Sequence, residues 1–321
     1  MLIEKKSSRT VLIVFLIVSF ILTAGNGLAQ SNDKMKITYA SFLDFLMDLP
    51  IAIEMGYFND LGLELEALDI ASSPTRNGLL PKQDINGAFL PSQTALFYAE
   101  KGIHMVMVCG IGNRTFDFAV RSDSPIQNIS DFEGKTIASV HNPSNPRLAL
   151  DYDMDQAGVK ANVIATKSAA DRLSMLMSGK VDVIMSAPST EARLGDGIRI
   201  VHSCSTSKYL WNSCGWWFKP DYIKAHPEAI EKFVKGLSMA REMIINDPKK
   251  AIKVFSKYNK LNDAGFKKPF ELPQFDNPPA VYAYGLNKTY VMMKDYKILK
   301  TNLDIDHMVN SRFAKVLSQD Y

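Results

Sequence analysis

Short apolar runs alternate with amphipathic segments along most of the chain. The stretch Lys36–Leu68 sets the pattern: a strand over Lys36–Ala40, a loop over Ser41–Asp44, a helix that ends near Gly56, and a strand over Leu63–Leu68. Strands and helices continue to alternate downstream, which is typical of α/β proteins with mainly parallel sheets. The pattern therefore predicts an α/β fold.

Apolar runs bounded by turn residues predict the remaining strands. The run His104–Cys109 is continuous, which predicts a strand buried on both faces of a parallel sheet. Further strands are predicted over Asp84–Phe89, Lys135–Val140, Val163–Thr166, Val181–Met185 and Ile198–Val201, with crossing strands at Thr115–Arg121 and Trp216–Phe218. Helices are predicted over Thr94–Lys101, from cap Asn145 to near Gly158, from Ser168 to Gly179, over His226–Asn246, from Asp247, over Tyr282–Asp295 and over Ile305–Leu317.

The length of the chain predicts two lobes. At 321 residues it exceeds what one compact core usually supports. We expect lobe 1 to comprise residues 34–115 and 216–321, and lobe 2 to comprise residues 116–215. Two crossings, near residues 113–122 and 203–217, would join them. Each lobe is predicted to be a mainly parallel sheet flanked by helices.

The N-terminus has the pattern of a secretory signal peptide. Lys5, Lys6 and Arg9 precede an apolar run over Val11–Leu22, and small residues follow up to Ala29. A membrane anchor is the alternative, but the apolar run is shorter than the roughly 20 residues that span a bilayer. We expect residues 1–29 to be removed and the mature chain to be exported to the periplasm.

Composition and charge exclude some partners. Apolar residues make up 46% of the chain and charged residues 22%, as in ordinary globular proteins. The formal net charge of +3, without a long basic run, gives no indication of a nucleic-acid partner. The three cysteines are Cys109, Cys204 and Cys214. Cys204 and Cys214 could form a disulfide in an oxidising compartment, or all three could be free and buried.

Several motifs resemble one family. The run from Met55 to Glu66 (MGYFNDLGLELE) resembles a signature of periplasmic solute-binding proteins of the nitrate, sulfonate, taurine and thiamine-precursor type, which serve ABC importers. Asp131–Lys135, Gly179–Ile184 and the segment from His226 to Ala251 resemble further parts of that family. The resemblance implies the two-lobed periplasmic-binding-protein fold (type II) with two hinge crossings. It also implies a monomer that binds a small solute and presents it to a membrane permease and its ATPase.

Ligands of open α/β sheets bind beyond the carboxyl ends of the strands, where helix N-termini favour negative charge. Four such loops supply the candidate ligand-binding residues: Ser41, Phe42 and Asp44; Ser92 and Gln93; His141, Ser144 and Asn145; and Ser186. Phe42 and either Trp216 or Trp217 are candidates for stacking on the ligand, and we favour Trp216. The alternative for Ser92, Ser144, Asn145 and Ser186 is ordinary helix capping. Because these loops contain no evident arginine clamp, an organic solute is mildly favoured over a bare oxyanion.

No catalytic or metal motif stands out. The chain has no Gly-x-Ser-x-Gly elbow and no phosphate loop, and neither its histidines nor its cysteines have metal-site spacing. We therefore expect no cofactor and no catalytic residue. Two other functions remain open: an enzyme of the same fold that resembles the thiamine-pyrimidine synthases, and a periplasmic sensory module. The export signal and the lack of clustered cysteines count against the enzyme.

Overall fold

A computed structural model describes residues 33–40, 46–70, 72–111, 117–141, 144–186, 191, 194–204, 214–258 and 275–317. The predicted signal peptide lies outside these ranges.

The secondary structure alternates as the sequence predicts. The strands are β1 (Asp33–Tyr39), β2 (Leu63–Asp69), β3 (Gly87–Pro91), β4 (Val106–Gly110), β5 (Asp117–Arg121), β6 (Thr136–Ser139), β7 (Asn162–Ala165), β8 (Val183–Ser186), β9 (Ile198–Ser203), β10 (Cys214–Phe218), β11 (Ala280–Tyr282) and β12 (Lys315–Leu317). The helices are α1 (Asp48–Glu54), α2 (Tyr57–Asp60), α3 (Ser73–Asn77), α4 (Ser92–Ala99), α5 (Asn145–Ala157), α6 (Ala169–Met177), α7 (Pro220–Ala225), α8 (Pro227–Asn246), α9 (Pro248–Tyr258) and α10 (Ala283–Asp295).

Two five-stranded sheets organise the chain and share one topology. Sheet A has the order β2-β1-β3-β10-β4, and sheet B has the order β7-β6-β8-β5-β9. In each sheet the first three strands are parallel, and the fourth runs antiparallel to both neighbours. The fourth strands, β10 and β5, are the ones that follow the crossings between the sheets. The fold is therefore the predicted α/β arrangement, with each parallel sheet closed by an antiparallel crossing strand.

The strand at the continuous apolar run His104–Cys109 is not in the interior of a parallel sheet, where its pattern predicts it. Its strand, β4, lies at the edge of sheet A and pairs with β10 in antiparallel register. The run is nevertheless buried because the C-terminal segment covers that edge: Met107 forms a bridge with Val309, and its carbonyl accepts a hydrogen bond from the backbone N–H of Asn310 at 3.0 Å. An apolar run predicts that a strand is buried, but it does not predict which element packs against the strand.

The long helix α8 packs against sheet A through an apolar stripe. Ile230, Phe233, Val234, Leu237 and Ile244 are all buried, as their helical spacing predicts. In contrast, Met177 of α6, which was expected to face the core, is 52% exposed, and Arg172 is buried in that helix instead.

Two predictions of local structure are wrong. The segment Ile305–Leu317 is not a helix: it contains a short 3-10 turn (Asp306–Met308) and strand β12, which pairs in parallel with β11. The cap of α5 is Ser144 rather than Asn145, which is the first helical residue.

The structure has no disulfide between Cys204 and Cys214, and all three cysteines are buried thiols. Cys204 follows β9 of sheet B, whereas Cys214 opens β10 of sheet A, and both are buried in the same hydrophobic core. Among the described residues, no helix is long and apolar enough to cross a membrane.

Candidate functional site

The junction between β3 and α4 buries two of the predicted site residues. Ser92 and Gln93 begin α4 and are 0% and 1% exposed. The N-cap is Pro91, and no side chain caps this helix end. The hydroxyl Oγ of Ser92 and the Oε1 of Gln93 have no hydrogen-bond partner among the described residues. Ser92 is therefore not the ordinary cap that was considered as its alternative role.

The junction between β6 and α5 has the same character. Ser144 is the N-cap of α5 by its backbone, yet its side chain makes no capping bond and its Oγ has no partner within the described chain. Asn145 is 4% exposed and directs its Nδ2 towards the Sγ of Cys214 at 3.9 Å. His141, by contrast, is exposed.

The carboxyl end of β8 contributes Ser186, which is 3% exposed and whose Oγ also lacks a partner in the described part of the structure. Parallel pairing aligns Ala138 of β6 with Ile184 of β8, so Ser139 and Ser186 lie at the ends of neighbouring strands. Ser139 is fully buried and its Oγ has no described partner either. Sequence reasoning missed Ser139 because it was treated as the interior of a strand.

One contact brings the helix starts of the two sheets together. Cys214, which receives the Asn145 contact, pairs with Pro91 in the β10–β3 ladder, and Pro91 directly precedes Ser92. The N-terminus of α5 therefore lies near the carboxyl end of β3 in sheet A, where α4 begins. The predicted second and third loops are thus neighbours, and the fourth lies one strand away from the third.

Buried polar atoms without partners are rare because each one costs about 1–3 kcal/mol relative to a satisfied group. The strand ends and helix starts described above concentrate them. Those at or near strand ends and helix starts are Thr38 Oγ1, Ser92 Oγ, Gln93 Oε1, Ser139 Oγ, Ser144 Oγ and Ser186 Oγ; others in the described chain include Trp216 Nε1 and Tyr282 Oη. Hydroxyl groups of this kind can donate to, or accept from, a small polar molecule.

Two buried arginines add positive charge at the carboxyl ends of the parallel strands, and sequence reasoning missed both. In sheet A, Arg76 donates from Nη1 to the carbonyl of Ile70, just beyond β2, at 2.7 Å. In sheet B, Arg172 donates from Nε to the carbonyl of Met185 at 3.1 Å and from Nη1 to Thr166 Oγ1 at 3.2 Å.

The arginines are 4% and 7% exposed. Burial lowers the pKa of Arg76, and it lowers the pKa of Arg172 to about 10, which still leaves that guanidinium charged at neutral pH. The four loops considered from the sequence contain no evident arginine clamp; Arg76 and Arg172 come from helices α3 and α6.

Trp216 lies in the core of sheet A. Its ring contacts Phe89 and Phe233 with centroid separations of 5.7 and 5.2 Å, and its side chain is 0% exposed. Trp217 lies on the other face of β10 and donates from Nε1 to the carbonyl of Leu90 at 2.9 Å. Both indole rings pack in the core, and the Nε1 of Trp216 has no hydrogen-bond partner among the described residues. A stacking role for Trp216 stays a prediction. Ser41, Phe42 and Asp44 fall outside the described residues.

The cysteines are poor nucleophiles in this fold. Complete burial raises the pKa of the Cys109 thiol to about 12. Burial, together with the Asp153 and Asp117 carboxylates, also raises the pKa of the Cys204 thiol. Neither thiol is therefore ionised at neutral pH in this structure.

Two sheets of equivalent topology, each with an antiparallel crossing strand, have the two-lobed fold of periplasmic binding proteins. The chain belongs to the NMT1/THI5-like family, whose model matches residues 47–251. A search of curated proteins found no significant match.

Solved structures have the same fold at low sequence identity. The alkanesulfonate-binding protein SsuA from Xanthomonas axonopodis pv. citri, bound to MOPS, is 16% identical with a TM-score of 0.70, over 86% of this chain and 97% of that chain. The aliphatic sulphonate-binding protein SsuA from Escherichia coli is 15% identical with a TM-score of 0.71, over 88% and 98%. The nitrate-binding protein NrtA from Synechocystis PCC 6803 is 13% identical with a TM-score of 0.68, over 87% and 86%.

Proposed function

We propose that this protein is the exported, monomeric solute-binding component of an ABC importer and that it captures a small anionic solute between its two sheets. The observation that carries the proposal is the set of buried polar atoms without partners at Ser92, Ser139, Ser144 and Ser186. A solute that hydrogen-bonds to them would remove the cost of leaving them unpaired. The similarity to sulfonate- and nitrate-binding proteins supports this role.

The charge at the site favours an anion. Ser92, Gln93, Ser144, Asn145 and Ser186 are all uncharged, so the local field comes from the helix N-termini of α4 and α5 and from the buried guanidinium groups. These sources are positive, and the carboxylates of Asp69 and Asp171 offset part of the charge of Arg76 and Arg172 respectively. A sulfonate, including taurine, or nitrate fits better than a neutral pyrimidine precursor of thiamine, although the pyrimidine belongs in the same test.

Closure would follow from a solute that bridges both lobes. Two described contacts already join them: Asn145 with Cys214, and the Tyr296 hydroxyl, after α10, which donates to Asp155 Oδ2 of α5 at 2.7 Å. A solute that contacts Ser92 and Ser144 together would add to these contacts only in the closed arrangement and would shift the population towards it. The closed form would then dock on a membrane permease.

We propose no covalent chemistry. An activated serine nucleophile requires a hydrogen-bonded base, and Ser92 and Ser186 have no such partner among the described residues. A sensory role for the same binding event differs only in the membrane partner.

The test is a thermal-shift and calorimetric screen of the mature chain against ethanesulfonate, taurine, nitrate and a hydroxymethylpyrimidine. A ligand at a hundredfold excess over its Kd should stabilise the protein by about 2.7 kcal/mol. Ser92→Ala and Ser186→Ala should each weaken binding about tenfold or more, because each removes a buried hydrogen bond to a charged ligand.

Ser168→Ala is the matched control, because the Ser168 hydroxyl is exposed and already accepts a capping hydrogen bond from the Asp171 N–H of α6 at 3.0 Å. It should leave affinity unchanged. Binding of the pyrimidine alone would overturn the anionic solute. Binding that is unaffected by both site substitutions would overturn the location of the site.

A further inference from the structure

Three side chains with metal-binding chemistry meet beside the second crossing. Asp153 of α5, His202 of β9 and Cys204, which follows β9, have ligand atoms that all lie within 4.8 Å of one another. His202 Nε2 and Asp153 Oδ2 are 2.8 Å apart. We propose that these three residues form a binding site for one divalent transition-metal ion, with Zn²⁺ as the best match.

The local structure explains why these residues converge. His202 lies in β9, and Cys204 begins the turn directly after that strand, so the chain brings the two side chains to the same end of β9. Asp153 belongs to the buried face of α5. The imidazole is held by the rings of Phe118 and Phe132, with centroid separations of 6.2 and 6.5 Å. The sequence gives little sign of the site because Asp153 and His202 are distant along the chain.

The donor set is selective for the type of metal. A carboxylate oxygen, an imidazole nitrogen and a thiolate sulfur are the ligands that Zn²⁺ prefers, at about 2.0–2.3 Å. Ligands of a tetrahedral ion at those distances stand roughly 3–4 Å apart, so the present separations require only small side-chain movements. Ca²⁺ and Mg²⁺ prefer oxygen ligands and would gain little from the sulfur and nitrogen. Three protein ligands leave a fourth position for water.

Access and charge are compatible with binding. The side chains of His202 and Asp153 are 13% and 9% exposed, so an ion can reach the cluster after a small movement, whereas Cys204 is 1% exposed. The carboxylates of Asp153 and Asp117 disfavour a thiolate at Cys204. A bound dication reverses that effect, because its charge stabilises the thiolate while the thiol proton leaves to solvent.

The alternative is that Asp153, His202 and Cys204 form only a hydrogen-bonded cluster, in which the partners of the Asp153 carboxylate stabilise it without a metal. It makes a different prediction, because such a cluster needs no thiolate. The cluster is also separate from the proposed solute site: Asp153 lies eight residues beyond Asn145 on α5, about 12 Å along the helix axis. The metal proposal therefore does not depend on the identity of the solute.

The experiment is a titration of the chelator-treated mature chain with Co²⁺, followed by displacement with Zn²⁺. We expect one equivalent of Co²⁺, with a near-ultraviolet thiolate-to-cobalt charge-transfer band that Zn²⁺ abolishes. Cys204→Ser should remove the band, and His202→Gln and Asp153→Asn should each weaken Zn²⁺ binding at least about tenfold. The matched control is Cys109→Ser, a buried thiol in sheet A, which should keep both the band and the affinity.

Circular dichroism and thermal melting of each variant establish that it is folded. If His202→Gln fails to fold, Cys204→Ser alone still tests thiolate ligation through the band. Wild-type protein without a stoichiometric site, or a band that persists in Cys204→Ser and disappears in Cys109→Ser, would overturn the proposal. The assay contains no solute, so its failure would leave the proposed transport function untouched.

Discussion

Arg241 of α8 forms a fully buried ion pair with Asp48, the first residue of α1. The Nε of Arg241 lies 2.8 Å from Asp48 Oδ2, and both side chains are 0% exposed. The same guanidinium donates from Nη2 to the carbonyl of Gly110 at 2.9 Å and from Nη1 to that of Asp276 at 3.0 Å. One side chain therefore joins the start of α1, the end of β4 before the first crossing, and the segment that leads to β11.

The Arg241→Met variant should lose about 3–5 kcal/mol of unfolding free energy, because it leaves Asp48 buried and uncompensated. Urea denaturation measures the loss. The control is Lys257→Met in the pair with Glu54, where the lysine side chain is 80% exposed, and a change within about 1 kcal/mol is expected. Adding Asp48→Asn to Arg241→Met should recover part of the loss. Equal effects of Arg241→Met and Lys257→Met would contradict this account.

Removing a buried site hydroxyl group without a described partner should stabilise the solute-free protein and weaken solute binding. Ser92→Ala and Ser186→Ala should each stabilise the solute-free protein, by up to about 1–3 kcal/mol, because each removes a buried polar atom without a described partner. Differential scanning calorimetry without ligand measures this gain. Ser168→Ala should have the opposite sign and cost about 1 kcal/mol through loss of a helix cap. Destabilisation by both site substitutions would show that these hydroxyl groups are satisfied in solution.

A close helix contact predicts an unusual response to alanine. A Cβ on Gly236 of α8 would lie 2.5 Å from Cε1 of Phe58, a buried ring that stacks on Phe233 at 5.6 Å. Gly236→Ala should therefore cost about 1–3 kcal/mol by overpacking. Helix propensity alone would give a gain of about 1 kcal/mol.

Gly197→Ala is the control for this substitution, because nothing lies within 4 Å of its added Cβ. It should change the free energy of unfolding by less than about 0.5 kcal/mol. A stabilised Gly236→Ala variant would mean that the α2–α8 contact is looser than the structure has it.

Stability should fall in alkaline solution because of buried tyrosines. Tyr222 donates to the Lys34 carbonyl at 2.7 Å, and burial raises its pKa above the ordinary value of 10.0. Above about pH 10 the unfolded chain releases this proton while the folded chain keeps it. Unfolding then releases a proton, so stability is complete below pH 10 and declines above it, by at most about 1.4 kcal/mol per pH unit for one group.

Urea unfolding of wild-type and Tyr222→Phe proteins between about pH 8 and pH 11 measures this effect. The variant should be less stable at pH 8, because the hydrogen bond is lost, and its curve should be shallower above pH 10. Parallel curves for the two proteins across the whole range would show that Tyr222 does not contribute to the pH dependence.

Local signals determined much of the fold. The helical spacing of Ile230, Phe233 and Leu237 predicts the buried face of α8, and all three are buried. The pattern also identifies the crossing strands at Thr115–Arg121 and Trp216–Phe218, which the structure places in β5 and β10. These predictions hold because a periodic apolar face must be buried, whichever element of the fold packs against it.

The candidate site was only partly predictable. The sequence selected Ser92, Gln93, Ser144, Asn145 and Ser186 because strand ends and helix starts are local features. It missed Ser139 and the two buried arginines, and its choice of Trp216 stays a prediction. Whether a side chain on a strand meets the core or a ligand depends on which helix covers that face of the sheet.

The sequence by itself determined the α/β class, the order of most elements and the strand ends that carry polar side chains, because these depend on neighbours within a few residues. The tertiary structure decided that β4 lies at a sheet edge, that Arg76 and Arg172 stand behind the strand ends, and that Asp153 meets His202 and Cys204. These outcomes depend on contacts between residues far apart in the chain, which local periodicity does not encode.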